Sequence, residues 1–348
     1  MIKSMISKIK KYFFNHLFDP QNRKIINKLK LDLPKKVLDQ YKELQFNNFG
    51  HKNKNKIFYV IQRKIGGGLF SNLLFVLNHL SISEKFNFIP VIDMKNFEGF
   101  YNERSKVNNT LNSWEYYFKQ PTNFSLKEVY QSRNVIITSN KTFHNYKFRA
   151  KEKHANLKKV FKKYIKVNND ILIDVNKIIT SLNINKNNTI GIHWRGTDHK
   201  FLPNHPQPPS RKQIFNNVKK IIDNKKINQI FVVTEDPYYL KILKKKYSKK
   251  ILYLDSFRSN KSSDFSNFNR KNHRYKVGRE SIIEVLILSK LNYLICSESN
   301  ISDFVKFIST NKRFNIDRIV NRRNSTRALF SYLKWKIKSI LPFYFGGY

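Results

Sequence analysis

The sequence predicts an α/β protein built on open parallel sheets, and three observations carry that reading. Residues 189–309 alternate short apolar runs with amphipathic stretches, as strands and helices do when helices cover both faces of a parallel sheet. Residues 57–92 give a strand, a glycine turn, a helix and a second strand. The 348-residue chain is 40% hydrophobic, with 29 Phe and 18 Tyr, enough core for two ordinary domains or one large one and too much for a disordered chain.

The elements follow in order. In residues 2–18, Ile2, Met5, Ile6, Ile9, Phe13, Phe14 and Leu17 recur at helical spacing among Lys3, Lys8, Lys10 and Lys11. Residues 19–56 are polar, lysine-rich and poorly patterned. Ile57-Phe58-Tyr59-Val60-Ile61 reads as a buried strand, Gly66-Gly67-Gly68 as a turn, 69–80 as a helix and 89–92 as a strand. Residues 93–170 carry no readable order except a strand at 135–137 and a helix at 155–164. Strands are then expected at 189–194, 229–233, 251–254 and 293–296, and helices at 210–223, 237–247, 280–289 and 302–309, with Ser210 as an N-cap. Residues 329–345 are again apolar and basic. The domain expectation is a basic extension over 1–56, α/β domains over 57–180 and 181–320, and a basic tail over 321–348, without internal repeats.

The 67 Lys and Arg against 24 Asp and Glu leave a net charge of +43. Such an excess attracts polyanions, whether nucleic acid, anionic lipid or phosphorylated substrates; a lysine bias spread over the surface by an AT-rich genome explains it equally well. No RNA-binding signature or zinc motif is present, so no specific nucleic-acid partner is expected. Both basic ends are amphipathic: each either lies on an anionic membrane surface or packs its apolar side on its own protein. The lone Cys296 excludes an intrachain disulfide and a cysteine-rich zinc site, and reads as a buried apolar residue. No run reaches the ~20 apolar residues that cross a bilayer, and residues 1–18 lack a cleavage site. The expected location is cytoplasmic, peripheral at most on the inner face of the membrane.

Ligands of parallel sheets gather at the carboxyl ends of strands, where four segments fall. The first is Gly191-Ile192-His193-Trp194-Arg195-Gly196-Thr197-Asp198. Strand alternation puts His193 and Arg195 on one face; Arg195 suits a diphosphate through paired charge-assisted bonds, Gly196 permits close backbone approach, and Asp198 orders the loop or positions a hydroxyl. His199 and His205 follow closely enough to act as a base, though a lone loop histidine is usually solvated; His273 lies in a third polar stretch. The second, Gly66-Gly67-Gly68-Leu69-Phe70-Ser71-Asn72, either cradles an anion with its amides or is an ordinary turn; it lacks the P-loop and dinucleotide patterns. The third, Thr234-Glu235-Asp236, holds a ribose or a metal, or caps the helix beginning at Pro237; the cap is favoured. The fourth, Cys296-Ser297-Glu298-Ser299-Asn300-Ile301-Ser302, seats a phosphate or caps a helix.

Taken in order, these motifs resemble the α1,2-, α1,6- and protein-O-fucosyltransferase superfamily. Residues 191–198 resemble its His-x-Arg-Arg-x-Asp motif; 230–240, 282–296 and 297–302 resemble the downstream strands and motifs, nearest the α1,6 group; 66–72 is similar to its glycine-rich loop. The resemblance implies a GT-B fold of two facing Rossmann-like domains, inverting transfer of fucose from GDP-fucose to an oligosaccharide or glycolipid acceptor, and no metal or further cofactor. By position it implies that Arg195 holds the β-phosphate, His193 lines the nucleotide pocket, Glu284 reads the guanine edge and Ser299, beside Asn300, meets phosphate, with Gly67, Gly68 and Asn72 in the glycine loop. The chain departs from the pattern where Gly196 replaces the second arginine and where no carboxylate follows the first motif, so Asp198, His199 or His205 must serve as base or the acceptor deprotonates late.

Overall fold

The computed structural model describes residues 44–64, 67–138, 154–325, 327–345 and 347. The helix expected at 2–18 lies outside the described residues. Two sheets organise the rest. The first contains β1 (Gln45–Asn47), β2 (Phe58–Ile61), β3 (Ile89–Ile92) and β4 (Val135–Ile137) in the order β1-β4-β2-β3. Its β3, β2 and β4 are parallel, and β1 joins β4 antiparallel at one edge. The second holds β5 (Thr189–His193), β6 (Gln229–Val233), β7 (Ile251–Leu252), β8 (Tyr293–Ser297) and β9 (Asn315–Ile319), all parallel, in the order β7-β6-β5-β8-β9. The fold is thus the α/β, two-sheet Rossmann-like architecture expected.

The helices are α1 (Leu69–Lys85), α2 (Leu126–Val129), α3 (His154–Tyr164), α4 (Asn169–Ser181), α5 (Arg211–Asn224), α6 (Pro237–Tyr247), α7 (His273–Lys290), α8 (Asn300–Ile308) and α9 (Ala328–Ile340). Side-chain caps fix several of their starts. Ser210 and Gln213 form a capping box at α5, as do Ser299 and Ser302 at α8; the Asp236 carboxylate accepts from Tyr238 N at α6, where Pro237 has no N–H to satisfy.

Five sequence expectations are corrected. The second sheet has five strands rather than four, because β9 is a half-exposed edge strand whose Asp317 and Arg318 hide its apolar alternation. The strand at 251–254 stops at Leu252, and the helix expected at 280–289 begins at His273. The stretch 93–170 and its continuation conceal α4, and the polar 19–56 region contains β1.

One apolar core runs continuously from the first sheet to the second. It includes Tyr59, Leu73 and Leu77 on one side and Phe231, Ile283 and Leu294 on the other. The joint is made by the first half of α7. The Tyr117 hydroxyl donates to the Tyr275 carbonyl at 3.1 Å, Tyr275 N donates to Glu103 Oε1 at 2.9 Å, and Arg279 pairs with Asp174 at 2.6 Å. Gly278 is required here: a Cβ would lie 2.2 Å from the Tyr117 hydroxyl.

Candidate active site

The site begins at β5, the middle strand of the second sheet. Its side chains are buried along its whole length, so the polar residues that follow His193 mark where the chain leaves the core. His193 is fully buried, and desolvation, reinforced by nearby Arg195, pushes its imidazole down to about 3, so it is neutral. Its Nδ1 lies 3.5 Å from Ser299 Oγ.

Arg195 is held from three sides. Its backbone N–H donates to Ser297 Oγ at 3.0 Å, and its Nη2 donates to both Asp198 oxygens at 3.1 and 3.0 Å. Glu235 Oε1 stands 4.0 Å from Nε and accepts the Gly196 N–H at 2.9 Å. Burial alone would lower the guanidinium pKa, but Asp198 and Glu235 outweigh it and raise it. Even so, the buried Nε–H has no hydrogen-bond partner. Burial raises both carboxylates; Arg195 reverses this at Asp198, which ends below the ordinary range, while Glu235 stays above it.

A 3₁₀ turn, Thr197–Lys200, then carries Asp198 and His199. His199 is buried rather than lying in a solvated loop; desolvation first, then Arg195, pushes it down to about 3. Its Nε2 is 3.4 Å from Nδ1 of exposed His205. The turn is braced from the far end of the chain: the Asn324 amide donates to the carbonyls of His199 and Leu202 at 2.8 and 2.9 Å. Lys200 pairs with Asp236 at 2.7 Å and lies over the rings of Tyr239 and Trp335.

Gly196 does not open space for a ligand. A Cβ there would meet Tyr239 at 2.5 Å and Asp236 at 2.9 Å, so the room is filled by protein, and the arginine of the fucosyltransferase motif would not fit. Within Thr234-Glu235-Asp236 the roles divide: Asp236 caps α6, whereas Glu235 faces the arginine. In the fourth segment Ser299 and Ser302 cap α8, with Asn300 as its first residue. Cys296 is buried, and desolvation pushes its thiol up to about 12. His273 is also buried, at the start of α7, with Nε2 2.7 Å from the Asp264 carbonyl.

Beside this centre lies a second buried polar cluster. Glu284 on α7 accepts from Ser256 Oγ at 2.7 Å; desolvation pushes its carboxyl up to about 7, opposed by Ser256 and Arg258 and assisted by Glu280 and Glu235. Ser259, three residues beyond Ser256, is tied to the arginine centre: its N–H donates to the Glu235 carbonyl at 3.0 Å and its carbonyl accepts from Thr197 Oγ1 at 3.2 Å.

The glycine loop sits at the corresponding end of the first sheet. Arg63, two residues beyond β2, donates to Ser71 Oγ at 3.1 Å and Asn72 Oδ1 at 3.0 Å and lies over the Phe75 ring. Asn72 Oδ1 also accepts the Gly67 N–H at 2.9 Å, so this side chain closes its own loop; Gly68 has open space around it. Tyr101 links the two ends. Its hydroxyl accepts the Leu69 N–H at 3.0 Å, and Arg195 is close enough to act electrostatically on its phenol. Arg63, Asn72 and Tyr101 line one small cavity with Trp114 and Tyr117.

The structure therefore brings His193, Arg195, Asp198, His199 and His205 together, with Ser299 reached through His193 and Glu284 through Glu235. Gly67, Gly68 and Asn72 stand across from them. Asn300 opens α8 after Ser299. Sequence reasoning missed Arg63, Tyr101, Ser256 and Arg258 and left Glu235 as a capping candidate. Arg63 was within reach of the rule that found Arg195, since both follow a buried parallel strand by two residues; Tyr101 lies in a stretch without periodic signal. Among the described residues no group of three or more His, Cys, Asp or Glu side chains is placed to share a metal ion.

No family model and no curated protein matches the chain. Among solved structures it is similar to NodZ alpha-1,6-fucosyltransferase soaked with GDP-fucose, at 12% identity and TM-score 0.44, covering 73% of this chain and 93% of that one. The same comparison with NodZ alpha-1,6-fucosyltransferase co-crystallized with GDP gives 11% identity, TM-score 0.44 and 73% and 92% coverage. Fucosyltransferase NodZ from Bradyrhizobium is 11% identical, with TM-score 0.42 over 73% and 93%.

Proposed function

We propose that this chain is an inverting glycosyltransferase that moves a sugar, first choice fucose from GDP-fucose, to a glycan hydroxyl. The observation that carries the reading is the unmet, buried Nε–H of Arg195, on a guanidinium already aimed by Asp198 and Glu235 at the carboxyl end of the central strand. A buried donor without a partner costs about 1–3 kcal/mol, which a ligand oxygen would recover. A diphosphate supplies such an oxygen, and the Glu284 carboxyl beside Ser256 is the acceptor proposed for a base edge.

In the proposed reaction the acceptor oxygen attacks the anomeric carbon, the bond from that carbon to the β-phosphate oxygen breaks, and the diphosphate leaves with the electron pair. Arg195 stabilises the growing charge, as fixed cations do for leaving phosphates. The acceptor proton goes to His205. Asp198 has both oxygens on Arg195, and His199 is buried behind its partner ring, which leaves His205 as the exposed member of the group.

A thermal-shift panel of GDP, UDP, GDP-fucose and GDP-mannose tests the assignment, because a ligand of the native state raises its melting temperature. Stabilisation by the GDP compounds that disappears in a folded Arg195→Ala variant is expected. Stabilisation by UDP alone would reassign the donor, and stabilisation by none would remove the reading.

A further inference from the structure

We propose that α9 is a membrane-surface element whose outward face docks on an anionic lipid bilayer. The helix has two opposed faces. The inward one is settled against the protein: Ser331 is buried, and Trp335 Nε1 donates to the Pro208 carbonyl at 3.0 Å. The outward one carries Phe330, Leu333, Ile337 and Ile340, exposed by 58%, 44%, 56% and 75%, at the three- and four-residue steps of one helical stripe. Tyr344 and Phe345 extend the stripe on the following turn, and Phe345 closes an apolar groove with Phe330, Leu333, Ile337 and Leu341.

Charge selects the occupant. At 100° per residue, exposed Lys334 and Lys336 fall on opposite flanks of the stripe, bracketing it with cations. No Asp or Glu follows Asp317, against seven Arg or Lys between residues 318 and 348. A second copy would bring like charge to like charge, and so would the lysine-rich residues 2–18. An anionic lipid surface matches both the apolar stripe and its basic borders. The 13 residues of α9 span about 20 Å along its axis, too little to cross the ~30 Å hydrocarbon core, so the helix lies in the interface plane. Because α9 packs on the Thr197–Lys200 turn, with Lys200 over the Trp335 ring, docking would hold Asp198 and His199 near the bilayer. The inference does not depend on the reaction proposed above.

Co-sedimentation of the full chain with phosphatidylcholine vesicles, with and without phosphatidylserine, provides the test. Binding to the anionic vesicles is expected, falling by more than about 100-fold in Ile337→Glu/Ile340→Glu. Lys334→Gln/Lys336→Gln should lose about fivefold per lysine, and on anionic vesicles only. Should the glutamate variant fold poorly by circular dichroism, an environment-sensitive dye on Ile340→Cys serves instead, since Cys296 is buried; a blue shift on anionic vesicles is expected. The proposal is overturned if the chain ignores anionic vesicles, if the α9 variants bind as the parent does, if the dye does not shift, or if the glutamates only split a dimer in sedimentation velocity.

Discussion

Arg63 and Arg195 occupy equivalent places, each two residues beyond a strand that is flanked on both sides within its sheet. Their surroundings differ in kind. Arg195 faces two carboxylates, which raise its pKa against the effect of burial; Arg63 faces a serine, an amide and an aromatic ring, and burial lowers its pKa. The end of a buried strand supplies a place for a cation. The loop that follows decides whether the charge is balanced and aimed or spent on closing its own turn. On this comparison Arg195 is the arginine that the proposed transfer would use, and Arg63 the one that closes the Gly67–Gly68 loop.

The largest expected effect separates the two arginines directly. Arg195→Ala should lower kcat/KM for sugar transfer by about 10²–10³-fold, the cost of losing one donor to a developing oxyanion. It also leaves Asp198 and Glu235 beside each other without their cation, so its melting temperature should fall. Arg63→Ala should cost on the order of tenfold, read mainly in KM, because Asn72 still holds the Gly67 N–H. Equal losses at the two positions would break the comparison.

The glycines sharpen it next. Gly196→Ala forces a methyl into Tyr239 and the Asp236 carboxylate, and overpacking of this kind costs about 1–3 kcal/mol. Gly68→Ala meets open space at an ordinary φ of −55°, so its effect should stay within about 0.5 kcal/mol. Urea denaturation of the two variants reads the difference. A tolerated Gly196→Ala would show that the second-sheet loop is looser than its contacts indicate.

Acid should act on the second-sheet site through its histidines. The unfolded imidazole titrates near 6.5 and folded His199 near 3, so between those values the unfolded chain binds more protons. Stability from this group is therefore complete above about pH 6.5 and declines as pH falls towards 3. Glu284 works in the opposite direction over 4.5 to about 7, because its neutral form is favoured by folding. Comparison with His199→Gln isolates the histidine: the stability difference between parent and variant should shrink by at most about 2 kcal/mol from about pH 6.5 to 5. An unchanged difference would mean that His199 is solvated after all.

What was legible in the sequence follows the same division. Parallel strands buried on both faces are near-continuous apolar runs, so β2, β3, β5, β6 and β8 stand out, and Arg195 was found by its place after β5. The cap at Ser210 was visible because capping is local. Edge strands β1 and β9 were not: β9 is half-exposed and carries Asp317 and Arg318, and the three residues of β1 are too few to show a pattern. Long-range contacts leave no local trace. Neither the Tyr101 contact with Leu69 nor the brace from Asn324 to His199, 125 residues away, has a spacing to read. His199 looked solvated because its burial depends on that brace.

A further effect concerns the Glu284 cluster beside the same site. Glu284 is buried on α7 with a carboxyl pushed up to about 7 by desolvation, in the field of Arg258, Glu280 and Glu235 and bonded to Ser256. A guanine edge presents two N–H donors; an ionised carboxylate accepts both, whereas a protonated one keeps an O–H that meets one of them donor to donor. Binding therefore selects the ionised form, and affinity for GDP should rise with pH through 7 and level off above it. Between about pH 6 and 8 the ionised fraction grows from about a tenth to about nine tenths, a gain of roughly tenfold, or ~1.4 kcal/mol. UDP, whose base presents a single N–H, should gain less. Glu284→Gln should flatten the GDP profile while leaving Arg195 and its carboxylates in place. Isothermal titration at several pH values measures this, and a GDP affinity that does not change with pH, or that falls as pH rises, would remove Glu284 from the proposed base recognition and leave only the phosphate end of the comparison standing.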